Sequence, residues 1–382
     1  MVSRRQFIQA MPAGAVSLAL TSLPAAVAAA PADKPIPVEK VVALVGDDIP
    51  YRAVQMPARL EAAFHGETKL GDGYLAKGMV GQLERRFADL LGKDDAVFMP
   101  TGTMANQIAI HILCGDWRHV LLQKESHVYR DEEDGVAVLS GINPVPIDGG
   151  TDDALVASVE AEFGKRKDDP YPIEIGAISI ESPVRRLDGS CVSPEVIGRI
   201  AALAKQNGTG MHLDGARLLL MSGMPGFDPR TYAAPFDTVY VSLYKYLGAP
   251  FGAILAGSKA QMERARHLRH IFGGTIYHGW TSALLALRNL DGFAERFTRV
   301  RSAGEALLAK LEGMPGIRIE RVPRASNIVF LHVEPSVAEG LVKRARAADI
   351  VVDDVENGRL EVSFNETLLR RPVDVIARVF SA

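Results

Sequence analysis

Ala96-Val97-Phe98-Met99-Pro100-Thr101-Gly102-Thr103-Met104-Ala105-Asn106 passes from a short apolar run through a polar turn into helical spacing. Four consecutive apolar residues closed by a proline suit a strand buried on both faces. The turn Thr101-Gly102-Thr103 then opens a helix expected over Met104 to Leu113. A helix N-terminus offers unpaired N–H groups and the positive end of the dipole, which together hold phosphate. Gly102 permits close backbone approach, and Thr101 and Thr103 add hydroxyls and a natural cap. Read alone, the string is equally a capped strand-to-helix turn. It contains no G-x-G-x-x-G and no Walker lysine, which weakens dinucleotide and nucleotide readings.

The same alternation continues outward. Val120–Leu122, Ile175–Ile180, Met211–Leu213, Thr238–Leu243 and Phe251–Leu255 read as further strands, several of them continuously apolar. Val80–Leu91, Ala154–Phe163 and Glu195–Gln206 carry helical spacing between them. Strand–helix alternation of this kind predicts an α/β domain with a mostly parallel sheet covered by helices. Past Gly292 the pattern changes to a long helix (Phe293–Leu311), strand-like Asn327–Val333, a helix near Val337–Ala347 and a strand near Arg359–Phe364. That is a small α+β unit, so a large domain is expected over 41–290 and a small C-terminal one over 291–382.

The chain has 382 residues, 47% of them hydrophobic and 23% charged, which excludes a disordered or fibrous protein. A formal charge of −3 gives no polyanion-binding surface, so nucleic acid is not an expected partner. Two cysteines, Cys114 and Cys191, exclude a disulfide scaffold and a multi-cysteine metal cluster; two buried free thiols are expected, and no metal. Residues 1–30 are a separate object. Arg4-Arg5 precede an apolar, small-residue stretch ending in Ala26-Val27-Ala28, the order of a secretory signal. Ser3-Arg4-Arg5-Gln6-Phe7-Ile8 resembles the twin-arginine export signal, implying a periplasmic location, with a cytoplasmic one as the alternative. Residues 31–40, rich in proline, read as a linker.

Three further strings carry chemistry. In Ser242-Leu243-Tyr244-Lys245-Tyr246-Leu247-Gly248 a lysine follows a buried-looking strand among apolar and aromatic neighbours. Desolvation there lowers its pKa, as an imine-forming amine requires; the alternative is a lysine that snorkels out of a loop. His212-Leu213-Asp214-Gly215-Ala216-Arg217 places a carboxylate at a strand's carboxyl end, where α/β sheets bind ligands, unless it is an Asp-Gly turn with a local arginine pair. His127, in Ser126-His127-Val128-Tyr129, could stack on a flat ring or be merely structural. Taken together, the phosphate turn, His127, Asp214 and Lys245 describe one site.

PTGTMANQ (100–107), HLDGAR (212–217) and SLYKYLGAPFGAILAG (242–257) resemble the corresponding strings of the threonine aldolase / aromatic amino acid β-eliminating lyase family. These are fold-type-I pyridoxal phosphate enzymes, with a transferase-like large domain and a small C-terminal domain. The resemblance implies pyridoxal 5'-phosphate held on Lys245, with Asp214 pairing with the pyridine nitrogen and His127 stacking on the ring. Gly102, Thr103 and Ser242 would bind the phosphate. Arg217 and Arg359 would grip a substrate carboxylate, for which an arginine fork is suited. The activity implied is Cα–Cβ cleavage of a β-hydroxy-α-amino acid to glycine and an aldehyde; the alternatives are β-elimination, or an impaired, exported pyridoxal phosphate-binding protein. A phosphate-sugar or nucleotide-binding Rossmann enzyme would require Lys245 to be incidental. A homodimer or homotetramer is also implied, and folded, cofactor-loaded export would suit the twin-arginine machinery. Three departures stand out: Val45-Gly46-Asp47-Asp48 replaces an Arg-Ser-Asp-Thr-like opening, Ile271–Trp280 lacks a Gly-Met-Arg segment, and Glu181-Ser182-Pro183-Val184 replaces Glu-Asn-Thr-His. The lost histidine is the one that contacts the substrate's β-hydroxyl, which bears on discrimination.

Overall fold

Six strands follow the expected apolar runs and, with a seventh at the edge, form one sheet in a computed structural model that describes residues 39–165 and 170–381. The expected signal at 1–30 and most of the linker lie outside the described residues. A short strand β1 (Val42–Ala43) precedes the sheet, whose members are β2 (Asp95–Met99), β3 (His119–Gln123), β4 (Asn143–Ile147), β5 (Ala177–Glu181), β6 (Gly210–Asp214), β7 (Thr238–Ser242) and β8 (Ala253–Gly257). Their order is β2-β8-β7-β6-β5-β3-β4. All neighbours pair in parallel except β8, which runs antiparallel to both β2 and β7. β5, β7 and β8 are buried along their whole length, as helices on both faces require.

β4 is an edge strand that the apolar pattern does not reveal, because it reads Asn143-Pro144-Val145-Pro146-Ile147. Two prolines are tolerable only where one side of the strand has no ladder to donate to, and they blunt that edge. Helix Gly102–Cys114 extends the expected Met104–Leu113 by its N-terminal turn, because Thr101 caps it: Thr101 Oγ1 accepts from the Met104 N–H at 3.1 Å. Cys114 and Cys191 are buried free thiols, both pushed up to about 12 by burial.

The helix Phe293–Glu312 turns Phe297, Val300, Leu307, Leu308 and Leu311 inward. It leads to a three-stranded antiparallel sheet of β9 (Ile317–Glu320), β10 (Ile328–Val333) and β12 (Arg359–Ser363), ordered β12-β10-β9. The single helix expected near Val337–Ala347 is two, Pro335–Ala338 and Leu341–Ala347, parted by Gly340 at φ +70°. The start of the chain is stitched to this C-terminal part. β1 pairs in parallel with β11 (Ile350–Val351), and the Asn365 side-chain amide donates to the carbonyls of Ala43, Val45 and Gly46. That places Asp47 and Asp48 next to the large sheet.

Candidate active site

β2, β3, β5, β6 and β7 point the same way, so their carboxyl ends open on one crevice. There the chain presents Thr101 and Gly102 after β2, His127 after β3, Glu181 at the end of β5, Asp214 at the end of β6, and Ser242 and Lys245 after β7. The register sets Glu181 beside Asp214, and Asp214 beside Tyr240.

Asp214 is buried, and it does not pair with Arg217. Its Oδ2 accepts from Asn106 Nδ2 at 3.0 Å and its Oδ1 from the Ala216 N–H at 3.1 Å. Asn106 is fixed in turn. Its Oδ1 faces His212 Nε2 at 3.0 Å, and His212 Nδ1 faces Thr238 Oγ1 at 2.9 Å. Because an amide oxygen only accepts, the Nε2 of His212 carries the hydrogen. Burial pushes that imidazole down to about 4, so it is neutral at ordinary pH. Asn106 lies within the quoted T-G-T-M-A-N, one helical turn past Gly102, yet only the fold shows that it meets Asp214.

Lys245 is half-buried, and its pKa is lowered, first by loss of solvation and then by the Arg217 charge; Asp214, Glu181 and Asp47 oppose that shift. Among the described residues its amine takes no hydrogen bond or ion pair. Arg217 is partly buried, and its Nε donates to Asp47 Oδ2 at 2.6 Å, while Asn327 Nδ2 donates to Asp47 Oδ1 at 3.2 Å. Asp47 therefore steers Arg217 by its Nε edge and leaves the terminal nitrogens free for a carboxylate. The sequence reading treated Asp47 only as part of a changed opening.

Gly102 is demanded by its surroundings: a methyl group there would overlap the Tyr240 hydroxyl. Ser242 Oγ is buried beneath without a hydrogen-bond partner, near the Tyr240 and Tyr244 phenols. A helix N-terminus whose Thr101 cap takes the Met104 N–H, a glycine that only glycine can fill and an orphaned hydroxyl fit a phosphate. His127 is half-exposed. Its backbone N–H donates to Glu181 Oε2 at 2.6 Å, and its ring nitrogens lie 3.3 Å from Asp131 Oδ2 and 3.7 Å from Glu132 Oε1. Glu181 also accepts the Arg185 N–H, and burial followed by the Asp214 charge pushes it up to about 7.

Two expectations meet different surroundings. Arg359 is held on the small sheet by Glu320, at 3.1 and 2.8 Å, and its guanidinium lies 3.3 Å over the Phe330 ring centroid. Among the described residues no hydrogen bond or ion pair joins it to Arg217, Asp214 or Lys245. The segment replacing Glu-Asn-Thr-His is turned into the core. Ser182 Oγ bonds the Tyr232 hydroxyl at 2.6 Å and accepts the Val192 N–H, and Val184 is wholly buried. Neither Ser182 nor Val184 turns a polar group towards the crevice, whereas Glu181 of the same segment stands in it beside His127.

An amine free of partners among the described residues, a buried and hydrogen-bonded carboxylate on the neighbouring strand, and a phosphate turn are the fittings of pyridoxal phosphate, and residues 47–334 match the family described as Beta-eliminating lyase. The chain belongs to that family. It is 28% identical to low-specificity L-threonine aldolase 1 of Arabidopsis thaliana, over 76% of this chain and 80% of that one. It is 32% identical to alanine racemase TOXG of Cochliobolus carbonum, over 56% and 54% of the two chains. Its fold matches a crystal structure described as a putative L-allo-threonine aldolase of Listeria monocytogenes, with TM-score 0.74, 24% identity, and coverage of 90% of this chain and 96% of that one. The architecture is that of fold-type-I pyridoxal phosphate enzymes, a lyase scaffold in this family.

Proposed function

We propose that the protein cleaves the Cα–Cβ bond of a β-hydroxy-α-amino acid, releasing glycine and an aldehyde. The observation that carries this is Asp214, buried at the end of β6 where it accepts from the Asn106 amide and the Ala216 N–H, with the depressed amine of Lys245 on the next strand's loop. Pyridoxal phosphate, when bound, supplies the electron sink that takes up the pair left at Cα.

The chain's own residues do the rest. Lys245 would hold the cofactor, and its Nζ, free of partners among the described residues, can carry a proton. Arg217, fixed on its Nε edge by Asp47, would grip the substrate carboxylate through its terminal nitrogens. Gly102, Thr103 and Ser242 would take the phosphate, and Asp214 would pair with the ring nitrogen. The substrate hydroxyl must lose its proton as the Cα–Cβ bond breaks, and a proton must return to Cα. His127, with a carboxylate facing each ring nitrogen, is the group of the crevice that suits the first transfer.

β-Elimination is the second reading, and the inward-turned Ser182 and Val184 favour it, since neither offers a group that would select a hydroxyl. Incubation with allo-threonine and with a β-substituted alanine separates the two: aldehyde plus glycine supports aldol cleavage, and pyruvate supports elimination. Neither product above background would remove both. Twin-arginine export to the periplasm and assembly as a homodimer or homotetramer belong to the same proposal. They are supported by the Ser3–Ile8 string and by the family resemblance, and cell fractionation and sizing of the purified protein test them.

A further inference from the structure

Asp131-Glu132-Glu133-Asp134 is a run of four acids, of which Glu132 alone is buried. Its carboxyl faces inward onto the helix Gly102–Cys114. Oε1 accepts from Asn106 Nδ2 at 3.0 Å, and Oε2 accepts from Gln107 Nε2 at 2.7 Å. The second N–H of the same Asn106 amide reaches Asp214. On the other side Glu132 Oε1 lies 3.7 Å from His127 Nε2. A chain of contacts therefore runs from the half-exposed His127, 3.7 Å from Glu132, through the buried Glu132 and Asn106 to Asp214. The Asn106 amide is oriented by the two carboxyl groups to which its nitrogen donates, which leaves its oxygen facing His212 Nε2.

Two carboxylates across one amide, both out of water, oppose each other's ionisation. The arrangement provides for a proton on one of them. Gln107 Oε1 is buried with no partner, and a half-turn of that amide would let it accept an O–H from Glu132 Oε2. Asp214 has no such acceptor, since its oxygens receive N–H groups that favour the charged form.

We propose that Glu132 is a positioning residue of this site, the neutral partner across Asn106 that holds that amide on Asp214 and seats His127 against the cofactor. The inference rests on the pyridoxal phosphate reading of the crevice. Burial, opposed by the Asn106 and Gln107 hydrogen bonds and reinforced by the Asp214 charge, pushes Glu132 up to about 7. The groups facing it are Asp214 from β6, His127 from its own loop, Tyr244 from the loop after β7, and Thr103 from the helix.

The test compares Glu132→Gln with the wild type. An acid whose pKa is raised on folding keeps its proton while the unfolded chain releases it, so the wild type loses stability as pH climbs from about 4.5 towards 7. Asp48, Glu84 and Glu181 are raised as well, so the difference between the two proteins is the relevant quantity. Melting of the apoproteins is expected to coincide near pH 5 and to separate near pH 8, with the wild type lower. A constant offset across pH, which a merely structural carboxyl would give, overturns the proposal. On the proteins loaded with pyridoxal phosphate, the induced circular dichroism of the visible band should survive Glu132→Gln and fall by half or more in Glu132→Ala. Full dichroism in Glu132→Ala contradicts the seating role. A wild type that forms no visible band removes the cofactor reading instead, a distinct outcome.

Discussion

At the residue scale the site is an arrangement of charges in a poorly solvated crevice. Asp214 receives two N–H groups and sits within influence of Lys245, while Arg217 is spent on Asp47 at one edge only. Asp214→Asn should keep the fold, because an amide can replace the carboxylate in shape. It should nonetheless lower kcat by on the order of 100-fold, since a charge partner in a low-dielectric site is worth ~3 kcal/mol or more. Steady-state kinetics with the confirmed substrate check this, and unchanged kcat would count against Asp214 as the ring partner. Arg217→Lys should raise KM with a smaller effect on kcat, because an ammonium cannot reproduce the fork. Lys245, Asp214, Gly102 and Ser242 were legible in the chain because each ends or follows an apolar strand. Glu132 was not, because a run of four acids reads as a solvated face and only tertiary packing buries one of them. Arg359 illustrates the converse: a loose string match cannot reveal that Glu320 and Phe330 hold the side chain.

At the element scale the helix Gly102–Cys114 does most of the positioning, carrying Asn106 and Gln107 behind its phosphate-facing end. Thr101→Ala removes its cap and should cost about 1 kcal/mol, read from urea unfolding. Gly102→Ala should cost more, roughly 1–3 kcal/mol, because the added methyl meets the Tyr240 hydroxyl and cannot be relieved without moving β7. It should also weaken pyridoxal phosphate binding. If Gly102→Ala unfolded like the wild type, the close packing of that turn on Tyr240 would be wrong. Continuously apolar strands were legible by composition, but β4 with its two prolines was not, and neither was the antiparallel sense of β8. Pattern shows that a strand is buried; direction is set by the neighbours it pairs with.

At the scale of the whole molecule the first described segment meets the C-terminal part. The Asn365 amide ties Ala43, Val45 and Gly46, and Asp47 follows at once to hold Arg217. The turn after β12 thereby reaches Arg217 through residues 43–47. Asn365→Ala removes the donor shared by the Val45 and Gly46 carbonyls, while Ala43 keeps the Thr367 hydroxyl at 3.3 Å, and should destabilise the protein by roughly 1–3 kcal/mol. It should also raise KM, because Asp47 is released. A change in stability with KM untouched would show that the opening segment braces the fold without steering Arg217. This stitching was not legible in the sequence, since β1 and β11 are two residues each and more than 300 positions apart.

The central claim is that Lys245 carries pyridoxal phosphate. The direct measurement is borohydride reduction of the purified, cofactor-treated protein, followed by proteolysis and mass mapping of the labelled peptide. A visible band that reduction removes, with the pyridoxyl mass on Lys245, is the predicted result. A colourless protein, or a label found on another lysine, would contradict it.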